Sequence, residues 1–227
     1  MSRYNIDELS QHYSEHYIAD TYNRREFMLY KKYYHLLVKK NAFLHTNDAQ
    51  LIDLGCGNGI KTSAFGQFFK KTTAIDLSES AIQKAREMNS NPAITFLCGN
   101  LFDVEVEKGS VITAFGFSYL NEDEPKLLAE RIDELYTLFA LDRASMIMSS
   151  FTDFSGKAPS GWVMHSKKQL NQLKDILNKE GYRVKFYFPQ YDLANYINFG
   201  FENTLKELVK FLKSRRRTFF IIIEKEV

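Results

Sequence analysis

The run Leu51-Ile52-Asp53-Leu54 ends directly in glycines at every second position, Gly55, Gly57 and Gly59. A short, mostly apolar run bounded by such residues reads as a buried strand. Glycine directly after it admits positive φ and removes the side chain where another group must come close. The chain therefore leaves a buried strand through a sharp turn and enters a helix. Exposed amides at a helix N-terminus favour negative charge. A tight turn that holds nothing would show the same glycines, so a second feature has to decide between the two readings.

That feature is Asp76, at the end of the next strand-like run, "TTAIDL" (72–77). An acid about twenty residues beyond such a turn sits where ribose hydroxyls are held in a doubly wound crevice. Strand, glycine turn, helix, strand and terminal acid together indicate a ligand that carries a nucleoside.

The rest of the chain repeats this alternation. "AITFLC" (93–98), "VITAFGF" (111–117) and "SMIMSSF" (145–151) are short and apolar and alternate little, as strands covered on both faces should. Between them lie helical patterns. Ser78 caps one, with Ala81, Ile82, Ala85 and Met88 on one face. Leu128, Ile132, Leu135 and Phe139 line another over 124–140. Ser166 with Gln169 reads as a capping box, Leu170, Leu173 and Leu177 follow on one stripe, and Gly181 stops the helix. This order predicts a parallel, doubly wound sheet. Two more strand-like runs, "YRVKFYF" (182–188) and "RTFFIIIEKE" (217–226), flank a helical pattern that starts near Asn203, so the last strand is expected to insert antiparallel. Helical patterns over 5–22 and 24–41 precede the first strand, the second with Phe27, Tyr30, Tyr34 and Leu37 in register. The expected fold is a Rossmann-like α/β domain: a mostly parallel seven-stranded sheet with an antiparallel last strand and an N-terminal helical lid.

At 227 residues and 44% hydrophobic content, one such domain can bury a full core. No linker composition interrupts it, so residues 1–227 read as one unit: a helical lid over 1–42, a cofactor-binding core over 50–151 and a substrate-side insertion over 187–215. A net charge of +2 is not that of a general nucleic-acid binder. Two cysteines, Cys56 and Cys98, make neither a disulfide framework nor a zinc site, and no metal is expected. The polar N-terminus has no apolar signal core, and "TFFIII" is too short to span a bilayer. These features predict a cytoplasmic protein without membrane contact.

A dinucleotide crevice calls for G-x-G-x-x-G, but the sixth position from Gly55 is Ile60. The pattern is instead D-x-G-x-G-x-G, from Asp53 to Gly59. Asp53-Leu54-Gly55-Cys56-Gly57-Asn58-Gly59 resembles the first motif of class I S-adenosylmethionine-dependent methyltransferases, and Asp76 is similar to that family's second-strand acid. The resemblance covers about residues 45–155, and the ends follow by element order.

The resemblance implies S-adenosyl-L-methionine as cofactor. Gly55, Cys56 and Gly57 would lie under its methionine part, with Asp53 orienting the turn and meeting the cofactor's amino group. Asp76 would hold the ribose hydroxyls and Leu77 would pack on the adenine. In "CGNLFD", Asn100 stands where the family usually has an acid, and its carbonyl would accept from the adenine amino group. Leu101 or Phe102 would flank the ring, and Phe115 and Gly116 would sit beside the sulfonium. The segment Ile18-Ala19-x-x-Tyr22-Asn23 resembles the lid-helix end of many small-molecule methyltransferases, so Tyr22 or Tyr17 would touch the methionine carboxylate. The usual "L-x-P-G-G" turn is replaced by "LFALDRAS" (138–145).

Methyl transfer is a direct displacement with a good leaving group, so holding the acceptor in line is the main task. A base is needed only for an acceptor that arrives protonated. Tyr119 in "FSYLNEDE" and His165 in "GWVMHS" are the candidates; His165 equally reads as an exposed loop histidine beside a helix cap. His12 and His16 read as surface residues, and Cys56 as a small residue that fits its turn.

Aromatic residues cluster near the N-terminus and in "YFPQYDLANYINFGF" (187–201), which tilts the expected acceptor toward a small organic molecule, on oxygen, nitrogen or carbon. The rival is an RNA methyltransferase, supported by Arg24, Arg25, Lys31 and Lys32 beside Tyr33 and Tyr34, by Lys39-Lys40 and by the run Lys213-Ser214-Arg215-Arg216-Arg217. A third reading is a cofactor-binding partner subunit without catalysis. A monomer or homodimer is expected.

Overall fold

Val111-Ile112-Thr113-Ala114-Phe115 is buried at all five positions, and this strand lies at the middle of the sheet. The computed structural model of the protein describes residues 24–39, 49–103, 111–139, 145–153, 163–188 and 216–225. Among these residues the strands are β1 (Gln50–Leu54), β2 (Lys71–Asp76), β3 (Ile94–Cys98), β4 (Val111–Phe115), β5 (Ser145–Asp153), β6 (Tyr182–Tyr187) and β7 (Arg216–Lys225). They form one sheet in the order β3-β2-β1-β4-β5-β7-β6. The helices are α1 (Arg24–Lys39), α2 (Ile60–Gly66), α3 (Glu79–Met88), α4 (Pro125–Leu138) and α5 (Lys167–Lys179), with a 3₁₀ turn at Ser118–Leu120.

β1 pairs in parallel with both β2 and β4, through Leu54↔Ile75 and Asp53↔Thr113. Chain order reverses there, so the carboxyl ends of β1 and β4 open a crevice at the switch point. β7 runs antiparallel between β5 and β6, with Phe220 opposite Ser149 on one side and Tyr187 on the other. The reversed last strand expected from the sequence is thus wedged between its neighbours. The inner strands are buried on both faces, whereas the outer strands β3 and β6 alternate buried and exposed positions. Only one face of each outer strand is covered, and that restores the period of two.

Local chemistry sets the helix ends. The Ser78 hydroxyl accepts the Ala81 amide at 3.2 Å and caps α3, while Ala81, Ile82 and Ala85 are buried; Met88 lies at the partly exposed end. Ser166 and Gln169 form the expected capping box on α5, and Leu170, Leu173 and Leu177 are buried. The chain leaves α5 through Gly181 at φ 83°. Tyr136 on α4 donates to the Ile223 carbonyl at 2.7 Å and accepts the Met146 amide at 3.2 Å, which ties the helix to β7 and β5. On the other face, α1 buries Tyr30, Tyr33, Tyr34 and Leu37 against Phe65, Phe69, Phe115 and Phe220. The expected helices over 5–22 and from Asn203 lie outside the described residues, as does most of the 187–215 insertion.

Candidate active site

The glycine turn is held from below by the strand beside it. The amides of Gly55 and Cys56 both donate to the Ile75 carbonyl, at 2.9 and 3.1 Å. The Gly57 amide donates to Oδ2 of Asp76 at 2.8 Å, and the Ser78 amide to Oδ1 at 2.9 Å. Gly55, Gly57 and Gly59 all have positive φ, at 66°, 53° and 74°. A Cβ on Gly55 would stand 2.7 Å from the Phe117 ring, and one on Gly59 would stand 2.8 Å from Phe96. Space as well as backbone therefore excludes side chains here.

An open cleft lies above this turn. Of the residues singled out from the sequence, Gly55, Asp76, Leu77, Asn100 and Leu101 line it. Gly116, named there beside Phe115, lines it too. Phe117 and Ser118 complete that wall, although neither was singled out. Their signal was only position, in the loop directly after β4. Asn100 holds its own loop: its carbonyl Oδ1 accepts the Phe102 amide at 3.3 Å.

Other expected residues stand behind the cleft. Asp53 is buried, and its carboxylate accepts the hydroxyls of Thr62 at 2.5 Å and Thr113 at 2.7 Å. It therefore pins α2 and β4 to β1. Burial pushes its carboxyl up to about 6, against the pull of both hydroxyls and of Lys61. Asp76 is also raised, again by burial, with the amides of Ser78, Gly57 and Leu77 opposing. Cys56 packs with Ala74, Ile82, Ala85, Ile94 and Phe96, and burial lifts its thiol well above the usual range. Such a thiol is no nucleophile. The Phe115 ring lies among Tyr30, Phe65 and Phe220, with centroids 5.4, 4.9 and 5.7 Å away.

The two base candidates are engaged elsewhere. The Tyr119 hydroxyl donates to Glu134, and its ring lies under the Arg131 guanidinium at 5.2 Å. Burial and that carboxylate push its phenol well above the usual range. His165 is buried, not exposed, with Nε2 2.9 Å from the Glu122 carbonyl; burial lowers its pKa. Neither residue lines the cleft. Glu122 itself pairs with Arg131 at 3.1 Å, and Arg131 donates to the Tyr119 carbonyl at 2.6 Å, so these groups fasten the loop that carries Ser118. Tyr17, Tyr22, His12 and His16 lie outside the described residues.

The basic stretch on α1 bears on the RNA reading. Tyr30, Tyr33 and Tyr34 are buried in the core, and Tyr34 stacks on Phe68 at 3.9 Å. Their rings are not available to stack on bases.

Comparison with known proteins agrees with this geometry. Residues 51–136 match the family model described as a methyltransferase domain. A malonyl-[acyl-carrier protein] O-methyltransferase of Bacillus cereus is 29% identical over 90 residues, covering 38% of this chain and 34% of that protein. The protein of the same description from Priestia megaterium is 22% identical over 166 residues, covering 71% of this chain and 58% of that one. The matches thus span between a third and three fifths of these curated relatives' length. Among solved structures, magnesium protoporphyrin IX methyltransferase from Synechocystis PCC 6803 with bound SAM superposes with a TM-score of 0.61 at 12% identity, over 100% of both chains. A plantazolicin methyltransferase in complex with a substrate analog and SAH gives 0.55 at 16% identity, over 97% of this chain and 90% of that one. At such identities the likeness is one of fold.

Proposed function

We propose that this chain, a class I S-adenosylmethionine-dependent methyltransferase by its fold and by its domain at residues 51–136, transfers a methyl group by direct displacement to a small organic acceptor. The observation that carries the reading is Asp76, which lines the cleft while its two oxygens clamp the turn at Gly57 and the loop at Ser78.

The residues present fit the cofactor. A carboxylate has about four acceptor positions, and the two amides leave Asp76 able to take ribose hydroxyls. Leu77 and Leu101 offer apolar walls for a purine, and Asn100 offers its amide edge. Gly55 leaves the turn without a side chain where the ligand backbone must pass. Asp53 acts from behind, by holding β1, α2 and β4 in register. When bound, S-adenosylmethionine supplies a methyl group on a positively charged sulfur. The Asp76 carboxyl in the cleft suits a cation. Residues 1–42 and 187–215 would roof the acceptor, and Tyr22 would meet the cofactor's carboxylate.

The acceptors in the names of the similar proteins, malonyl-[acyl-carrier protein], magnesium protoporphyrin IX and plantazolicin, favour a small molecule over RNA. The buried tyrosines of α1 favour the same choice. Among the described residues no helix is long and apolar enough to cross a membrane, and a cytoplasmic monomer or homodimer fits the reading. The test is calorimetric titration of S-adenosylmethionine and S-adenosylhomocysteine into the full chain. Micromolar binding of both is expected, and no binding would overturn the reading. Binding without turnover on any acceptor would leave only a silent cofactor-binding subunit.

A further inference from the structure

His165 lies just before α5, buried at 3% exposure and outside the lining of the cleft. Its Nε2 stands 2.9 Å from the Glu122 carbonyl. A carbonyl only accepts, so Nε2 carries the hydrogen, and this fixes the tautomer of the neutral ring. Two more bonds join the same segments. The Val163 amide donates to Oδ1 of Asn121 at 2.8 Å, and Nε2 of Gln169 donates to the Asp123 carbonyl at 2.8 Å. Asn121, Glu122 and Asp123 are thus held one after another from the start of α5.

The loop they belong to continues the cleft wall. Gly116, Phe117 and Ser118 line the cleft. The Leu120 amide donates to the Phe117 carbonyl at 3.1 Å, and the Asn121 amide to the Ser118 carbonyl at 3.0 Å. One 3₁₀ turn therefore ties the lining residues to the residues that His165 and its neighbours hold.

The hold depends on the charge of the ring. Glu122 and Asp123 are the carboxylates near His165 on the loop, and Arg131 of α4 pairs with Glu122 at 3.1 Å. Glu122 is already committed, because its Oε1 accepts the amides of Asp123 and Glu124 at 3.0 and 3.3 Å. An imidazolium at this place would be a charge enclosed away from water, which is costly. Burial lowers the His165 pKa, against the pull of the Glu122 carbonyl and of both carboxylates. The hold is complete above the ordinary histidine value and is lost as pH falls through the lower value of the fold.

We propose that His165 is a positioning residue for cofactor binding: the neutral imidazole holds the cleft wall at 116–118 through Glu122, and its protonation releases that wall. This rests on the methyltransferase reading above. The ring takes no part in the displacement; it acts on the shape of the cleft.

The test is calorimetric titration of S-adenosylhomocysteine into the full chain between about pH 8 and 5, the range in which histidine titrates. Wild-type affinity should fall by about tenfold toward the acid end, the worth of one buried hydrogen bond. His165→Gln keeps an N–H for the Glu122 carbonyl and gains no proton, so it should rescue binding in acid. His165→Phe loses the bond and should bind about tenfold more weakly even at the basic end. Asn121→Ala breaks the neighbouring bond but leaves the imidazole, so it should weaken binding and keep the acid limb. Asp76 gains its proton in wild type and in His165→Gln alike, and drops out of that comparison. Circular dichroism on the same samples reports folding, and if His165→Phe does not fold, the comparison of wild type with His165→Gln decides alone. Superimposable pH profiles of those two proteins would overturn the proposal, as would wild-type affinity in a folded His165→Phe. Failure of wild-type protein to bind S-adenosylhomocysteine at any pH would instead sink the methyltransferase reading itself.

Discussion

Oδ2 of Asp76 accepts the amide of Gly57 at 2.8 Å, so the end of the second strand clamps the turn that leaves the first. The other oxygen holds the start of α3 through Ser78, at 2.9 Å. One carboxylate therefore shapes the cleft and also faces it.

Asp76→Ala removes both clamps and the acceptor for ribose hydroxyls. Affinity for S-adenosylmethionine should fall at least about a hundredfold, as expected when two charge-assisted hydrogen bonds are lost. Asp76→Asn retains an acceptor oxygen and should lose less. Calorimetry decides, and unchanged affinity in Asp76→Ala would refute the assignment of this acid.

Asp53 should make the protein more stable as pH falls from 7 toward 4. Its carboxyl is raised from 3.8 to about 6 in the fold, so the folded state holds the proton more tightly than the unfolded chain. The stabilising effect is complete below the unfolded value and is lost as pH rises through 6. A shift of that size corresponds to about 3 kcal/mol between the limits. Asp76 is raised in the same direction, so it adds to the slope. Asp53→Asn can keep both threonine partners, because hydroxyls donate and accept. Urea titrations at several pH values should show a flatter profile for this variant; an unaltered slope would count against the buried carboxyl as its source.

Two glycines with positive φ should differ sharply when replaced by alanine. At Gly59, φ is 74° and the new Cβ would meet Phe96 at 2.8 Å and Ala85 at 2.9 Å. Strain and overpacking together should cost about 2–4 kcal/mol. At Gly181, φ is 83° but nothing lies within 4 Å, so only the backbone penalty of about 1 kcal/mol applies. Chemical denaturation of the two variants gives the ranking directly.

Arg131→Met should destabilise the chain by about 3 kcal/mol, because it leaves Glu122 charged and buried without its partner. Adding Glu122→Gln should recover part of the loss, since the amide oxygen can still accept the Asp123 and Glu124 amides that Glu122 holds now. A double-mutant cycle with no coupling would show that the pair does not hold the loop after β4.

The order of elements was legible because it depends on neighbours in the chain. Ser78 and Ser166 cap helices with amides three residues on. Short, mostly apolar runs such as Val111–Phe115 read as covered strands, and Gly55, Gly57 and Gly59 mark a turn. Asp76 was legible for the same reason, by its spacing from that turn. The partners of Asp53 and His165 were not. Thr113 reaches Asp53 from sixty residues away because β4 lies beside β1, and His165 reaches Glu122 across forty-three. Tyr30 and Lys61 meet only because α1 lies against α2 at the end of β4. By itself the sequence determined the strand alternation and the ligand-shaped turn, since propensity, period and capping act over a few residues. Tertiary structure decided which acids face the cleft and which stand behind it, since that depends on strand order and on burial among residues distant in the chain.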